Sequence, residues 1–111
     1  MQAAGKMDRR VSILRGSKSK DGYNADILTW HPFVSRWAEA TPINDAERLR
    51  AGEVLGQKKY RFVLRYDPDT STIDHRDRLT FDGREYDING VKELGRKESI
   101  EITATARAQS S

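Results

Sequence analysis

The feature that most limits what this chain can fold into is an unbroken alternation from Lys59 to Tyr66. Tyr60, Phe62, Leu64 and Tyr66 share one parity, and Lys59, Arg61, Val63 and Arg65 share the other. Successive side chains of a β-strand point to opposite faces, so the pattern predicts a strand with one apolar and one basic face. A helix would scatter the same aromatics around its circumference. The two-residue period recurs near Asp8 to Arg15, where Val11 and Ile13 oppose Arg10, Ser12 and Leu14. It recurs from about Ala25 to Ala40, where Phe33, Ser35 and Trp37 alternate with Val34, Arg36 and Ala38. Pro32 has no N–H to give a ladder, which predicts a bend, a bulge or an edge around His31–Pro32. Asp77 to Phe81, Arg84 to Val91 (Tyr86 and Ile88 inward) and Glu98 to Ala106 (Ile100, Ile102 and Ala104 inward) complete the strands.

Turn chemistry separates these segments. Gly16 to Asn24 reads as a hairpin loop with a flexible tip, Asp67-Pro68-Asp69 and Asp82-Gly83 as tight turns, and Gly90 to Lys97 as a loop. Thr41 to Gln57 breaks the period. Ile43, Ala46 and Leu49 approach helical spacing, Asn44 or Asp45 suits an N-cap, and Gly52 or Gly56 a stop. The expected fold is all-β: a small antiparallel barrel or sandwich of about six strands, with one loop or short-helix excursion after the second. Closure would hide sheet edges.

The 111 residues fit a single domain, 1–111, with flexible tails at 1–6 and 108–111. Twenty Lys and Arg against 17 Asp and Glu leave a formal charge of +3, weaker than a dedicated DNA-binding domain usually carries. The absence of cysteine removes disulfides and thiolate metal sites. No apolar run approaches the ~20 residues that span a bilayer, and the N-terminus lacks a signal-peptide core. A soluble protein made in the cytoplasm, with no membrane partner, is expected.

Catalysis finds no foothold. There is no Cys nucleophile, Gly-x-Ser-x-Gly, phosphate-binding Gly-rich loop or His-Glu-x-x-His. Asp67 and Asp69 are paired carboxylates inside a turn, where they fix backbone conformation. His75, within Asp74-His75-Arg76-Asp77, raises a metal site, but the intervening arginine and short span favour an exposed turn; His31, before a proline, reads as structural. No metal, cofactor or catalytic residue is expected, and the chain reads as non-enzymatic. Trp30, Phe33, Trp37, Tyr60, Phe62, Tyr66, Phe81 and Tyr86 suit either a core or stacking platforms for single-stranded nucleic acid. The latter gives the alternative function, a small β-barrel nucleic-acid-binding module. Core is the expectation, so Trp37→Ala should cost a few kcal/mol.

Five stretches in order, MDRRVSILRG, KDGYNADILTW, VSRWAEATPINDAERLRAGEV, KKYRFVLRYDPDTSTID and DRLTFDGREYDINGV, give a resemblance from about Lys6 to Thr105. The chain resembles the phage head–tail joining family, also called head–tail adaptor or head-closure (stopper) proteins. STIDHRDRL departs from that pattern in being longer and more charged. The resemblance implies a virion protein of a tailed phage, prophage or gene transfer particle, assembled in the bacterial cytoplasm. It implies a homo-oligomeric ring, taken as a dodecamer. A portal or adaptor ring lies above it, a tail terminator or tail tube protein below, and double-stranded DNA passes through its lumen and is retained. The all-β pattern suits the stopper position, since a portal-contacting adaptor is often helical.

A ring needs surfaces that close on themselves. The candidate interface residues are Tyr23 in the Gly16–Asn24 loop and Ile43, Glu47, Arg48, Leu49, Arg50 and Val54 in the Pro42–Gly56 excursion. There an apolar centre within mixed charge suits an interface, although Leu49 and Val54 would equally cap an open barrel end. Charge reversal at Arg48 and Arg50 is expected to leave the fold intact and block particle completion. Lys58, Lys59, Arg61 and Arg65 form a basic face that would meet DNA by sequence-blind phosphate contacts; a solvated face or a set of intersubunit ion pairs is the simpler reading of the same residues.

Overall fold

The structure, a computed structural model, describes residues 7–52 and 57–107. Among the described residues there are six strands: β1 (Arg9–Lys20), β2 (Asp26–Pro42), β3 (Lys59–Arg65), β4 (Arg78–Phe81), β5 (Arg84–Leu94) and β6 (Ser99–Ala106). One short helix, α1 (Asp45–Arg50), follows β2, and a 3-10 turn at Thr70–Thr72 precedes β4. All neighbours pair antiparallel, in the closed order β1-β2-β3-β6-β5-β4. The all-β expectation holds, and of barrel or sandwich the sheet chooses closure. Val11↔Phe81 through Leu14↔Arg78 form the closing seam.

The alternating residues fill the barrel as their parity requires. Val11, Ile13, Phe62, Leu64, Leu79, Ile102 and Ala104 are completely buried. Tyr60, Phe62, Phe81 and Tyr86 meet one another with ring centroids 5.1–6.3 Å apart, mostly edge-on or tilted, as aromatic quadrupoles prefer. The β4–β5 turn is type I′ in shape: Asp82 (φ 55°) and Gly83 (φ 78°) both take positive φ, which Asp tolerates and Gly takes freely. The Asp67-Pro68-Asp69 turn is held by its own side chains. Asp67 Oδ1 accepts from the N–H groups of Asp69 and Thr70, both at 2.8 Å. The buried Thr70 hydroxyl donates to the Arg65 carbonyl at 2.9 Å and accepts from Asp67 N–H at 2.9 Å.

Two strands run beyond the barrel wall. The expected loop of Gly16–Asn24 is mostly strand, because β1 continues to Lys20 and pairs to its end, Lys20↔Asp26. Gly16, Ser17 and Lys18, which resembled a loop, are cross-strand partners of Trp30, Thr29 and Leu28. β5 likewise continues through Gly90 to Leu94, paired with β6, where a loop was expected. On β1, only Val11 to Leu14 meet β4, and on β2 only Ala38 to Pro42 meet β3. Arg15–Lys20 and Asp26–His31 therefore form a two-stranded ribbon with no third strand. The ribbon accounts for a radius of gyration of 15.3 Å and extents of 50 × 34 × 22 Å, against roughly 13 Å for a compact chain of this length. Where it leaves the barrel, Ile13 pairs with Val34 and Leu14 with Pro32, so Phe33 is an extra, bulged residue. The irregularity expected at His31–Pro32 is this bulge.

Two core expectations fail, Trp37 here and Trp30 on the ribbon, neither of which packs in the barrel core. Trp37 is 55% exposed, while Ala38 is completely buried. On β2 the inward parity belongs to Ala38 and, packed against the core, Val34 and Ala40. The strand thus turns its small residues in and its Trp out. The tails 1–6 and 108–111 lie outside the described residues.

Candidate functional site

The ribbon tip is built by one aspartate. Asp21 Oδ1 accepts from Tyr23 N–H at 2.8 Å and Ala25 N–H at 2.9 Å, while Asp21 N–H donates to the Ala25 carbonyl at 3.0 Å. Asn24, at φ 65°, supplies the left-handed step, and Lys20 Nζ meets Asp26 Oδ1 at 3.0 Å. These bonds tie down a tip that was expected to be flexible. They leave the Tyr23 side chain 93% exposed.

Below the tip, one face of the ribbon carries Leu28 and Trp30. A methyl group on Gly16 would lie 3.0 Å from Leu28 Cδ1 and 3.4 Å from the Trp30 ring, so glycine lets both side chains lie across β1. The Arg78 guanidinium covers the Trp30 ring at 4.1 Å. Facing them is the Thr72–Asp77 segment, anchored by Arg15. Its Nε and Nη2 donate to the two Asp77 oxygens at 3.0 Å each, and Nη2 also reaches the Thr72 carbonyl at 3.2 Å. The same guanidinium stacks on bulged Phe33 at 3.8 Å. Its bond to Asp77 raises the Arg15 pKa. Between ribbon and segment lies a cleft of about 680 Å³, lined by Leu28, Trp30, Lys18 and Arg76 among others. Leu28 is 52% exposed. Sequence reasoning named neither Leu28 nor the cleft, because Leu28 sat in a strand whose partner looked like a loop.

The excursion after β2 is capped as expected: Asn44 Oδ1 accepts from Glu47 N–H at 2.7 Å. Leu49 is 60% exposed and Arg50 is exposed, whereas Ile43 is partly buried, its N–H donating to the Lys59 carbonyl at 2.9 Å. Arg48 differs from its neighbours. It is 5% exposed, and its Nη1 donates to the Gln57 carbonyl at 2.6 Å. The expectation that reversing its charge would leave the fold intact is therefore corrected, because a carboxylate there would be buried against a carbonyl oxygen. Val54 lies outside the described residues.

The β3 cations do not act as one face. Arg61 pairs with Glu47 at 3.1 Å and Glu101 at 3.7 Å, which cancels its charge locally. Lys59 is partly buried, while Lys58 and Arg65 are exposed. The aromatics divide as well. Tyr60, Phe62, Phe81 and Tyr86 are spent on one another, leaving Trp30, under Arg78, and Trp37, with Arg10 at 5.1 Å, on the outside.

Two carboxylates carry clear shifts. Burial pushes the Asp67 pKa up, but Arg36 Nε at 3.0 Å and the two turn N–H groups outweigh it and hold it below the ordinary value. Arg76, at 2.7 Å, holds Asp74 at about 2. His75 is exposed, and among the described residues no group of three His, Cys, Asp or Glu is placed to hold a metal ion. No helix among them is long and apolar enough to cross a membrane.

Comparison with known proteins gives this arrangement a context. The solution structure of protein SF1141 from Shigella flexneri 2a superposes with a TM-score of 0.78 at 20% identity, covering 98% of this chain and all (100%) of that one. A chain from the virion of a native gene transfer agent particle superposes with a TM-score of 0.63 at 24% identity, covering 88% of this chain and 92% of that one. At these identities the likeness is one of fold. No curated protein matches the sequence. The model of the phage head completion protein family, however, matches residues 3–107, nearly the whole chain. The chain belongs to the phage head completion protein family and is a structural protein of the phage head, carried in the virion.

Proposed function

We propose that the chain is a head-closure subunit. Copies form a ring, taken as a dodecamer, that joins the portal vertex of the DNA-filled head to the tail and helps retain the packaged DNA. The ring lies beneath the portal or its adaptor ring and receives a tail terminator or tail tube protein from below. A stopper position suits a chain whose described residues are mostly β-sheet, with a short helix and a 3-10 turn. Such a role requires no reaction, and membership of a structural family suggests a non-catalytic virion protein.

The observation that carries this reading is the division of labour within the fold. The barrel closes around its own side chains, while the ribbon and α1 stand outside it with Tyr23, Leu28 and Leu49 more than half exposed. Exposed apolar side chains held on ordered backbone, with Leu28 and Trp30 side by side over Gly16, support a role for these surfaces in protein contacts. Leu49 and Arg50 on α1, with Ile43 and Glu47 beside them, supply one contact; the ribbon supplies another. DNA contact falls to Lys58 and Arg65 rather than to Arg61, whose charge is already matched.

The test is removal of the protein from a host that produces the particles. DNA-filled heads without tails should accumulate and leak DNA, and adding back the wild-type chain should restore tailed particles. Arg50→Glu, on the exposed side of α1, should fold normally and fail to restore them. Normal yields of tailed, infectious particles without the protein would overturn the proposal.

A further inference from the structure

We propose that neighbouring copies in the ring engage tip to cleft: Tyr23 of one copy seats between Leu28 and Trp30 of the next. This rests on the ring reading above.

The tip has the properties of a preformed knob. Asp21 fixes the turn through four hydrogen bonds, so little backbone order remains to be gained on docking, yet Tyr23 is 93% exposed. Tyrosine offers large contact area at low conformational cost, and it is enriched at interface hot spots. The cleft has the properties of the matching hole. Its volume of about 680 Å³ suits an inserted side chain, and its apolar lining comes from Leu28 and Trp30, held over Gly16.

Charge favours the match. Three cations and two carboxylates line the cleft, Arg15, Lys18 and Arg76 against Asp74 and Asp77, for a net charge of +1. Two of the cations are engaged by the carboxylates, and Lys18 makes no ion pair with a described residue. The tip carries Asp21 and Asp26 against Lys20, a net charge of −1. A tip carboxylate beside Lys18 would complete the pairing.

Backbone pairing between ribbons is a poorer use of the same surface. Lys18 and Lys20 on one strand and Pro32 on the other are residues that blunt exposed strand edges. The side-chain face is left as the place of contact. Knob and hole are different parts of one chain, so the contact is heterologous. Each copy gives a tip to one neighbour and takes one from the other, the condition for a ring.

Because the chain has no cysteine, the contact can be trapped cleanly. Tyr23→Cys copies mixed with Leu28→Cys copies, assembled and mildly oxidised, should yield disulfide dimers containing one of each. Neither variant alone should do so, nor should Tyr23→Cys mixed with Lys92→Cys on the exposed end of β5. Tyr23→Ala should raise the concentration needed for ring formation by about tenfold or more, with an unchanged melting midpoint. Rings visible by electron microscopy without the mixed dimer would overturn the tip-to-cleft contact and leave the ring reading standing. Wild-type protein that forms no ring, alone or on heads, would overturn both.

Discussion

The barrel and the ribbon use the same kind of strand to opposite ends. In the barrel, Phe62 lies between β2 and β6 neighbours and disappears from solvent. In the ribbon, Leu28 has one ladder partner, Lys18, and stays half exposed. A two-stranded ribbon alone is marginal in water. This one persists because its base continues into barrel strands and Arg15 pins it to Asp77 and Thr72. Stability is concentrated in one region and exposed apolar surface in the other, so on the proposed function substitutions in the two should separate folding from assembly.

That separation can be broken at its strongest point first. Phe62→Ala should destabilise the subunit by ~3–5 kcal/mol, read as a large fall in the melting midpoint; a small fall would mean that the aromatic cluster is not the centre of stability. Thr70→Val keeps the shape but removes the hydroxyl that serves both Arg65 and Asp67, and should cost ~1–3 kcal/mol by chemical denaturation. Acid should act through the same turn. The Asp67 and Asp74 pKa values are depressed in the folded protein, so their contribution is complete above the ordinary carboxylate range and is lost as pH falls through the folded values. Stability should therefore decline from about pH 4 toward pH 2, and Asp67→Asn should flatten that decline. An equally steep decline in the variant would remove Arg36–Asp67 as its cause. The smallest effects belong outside the barrel. Trp37→Ala, which loses mainly its contact with Arg10, and Leu28→Ala should each change stability by about 1 kcal/mol or less. A shift of several kcal/mol in either would show that the outer surface shares the work of the core.

Much of the barrel is legible in the sequence because burial on one face forces a two-residue period, as in Tyr60 to Tyr66 and Ile100 to Ala104. Turns are legible where one residue type dictates the geometry, as at Asp82-Gly83. The ribbon is not. Lys18, Ser19 and Lys20 are exposed on both faces, so their strand carries no periodic signature and the Gly and Ser residues read as punctuation. Trp37 misleads for a related reason: parity identifies two faces, and hydrophobicity alone assigns the larger residue to the inside. The strands on either side of β2 decide otherwise, and a single sequence does not display them. The burial of Arg48 has the same origin, since its acceptor, the Gln57 carbonyl, follows nine residues later in a segment without a pattern.

The bulge at Phe33 has a geometric consequence. Pairing is regular on both sides of it, Ile13 with Val34 and Leu14 with Pro32, so deletion of residue 33 would keep every cross-strand pairing and straighten the strand, at the loss of the Phe33 ring that stacks on Arg15. A bulge bends its strand and adds local twist. This single insertion therefore acts as a steering joint, fixing the angle at which the hairpin leaves the wall while the strand pairing stays the same. Gain or loss of one amino acid there would redirect the arm and, in a circular assembly, alter its diameter without redesigning either half.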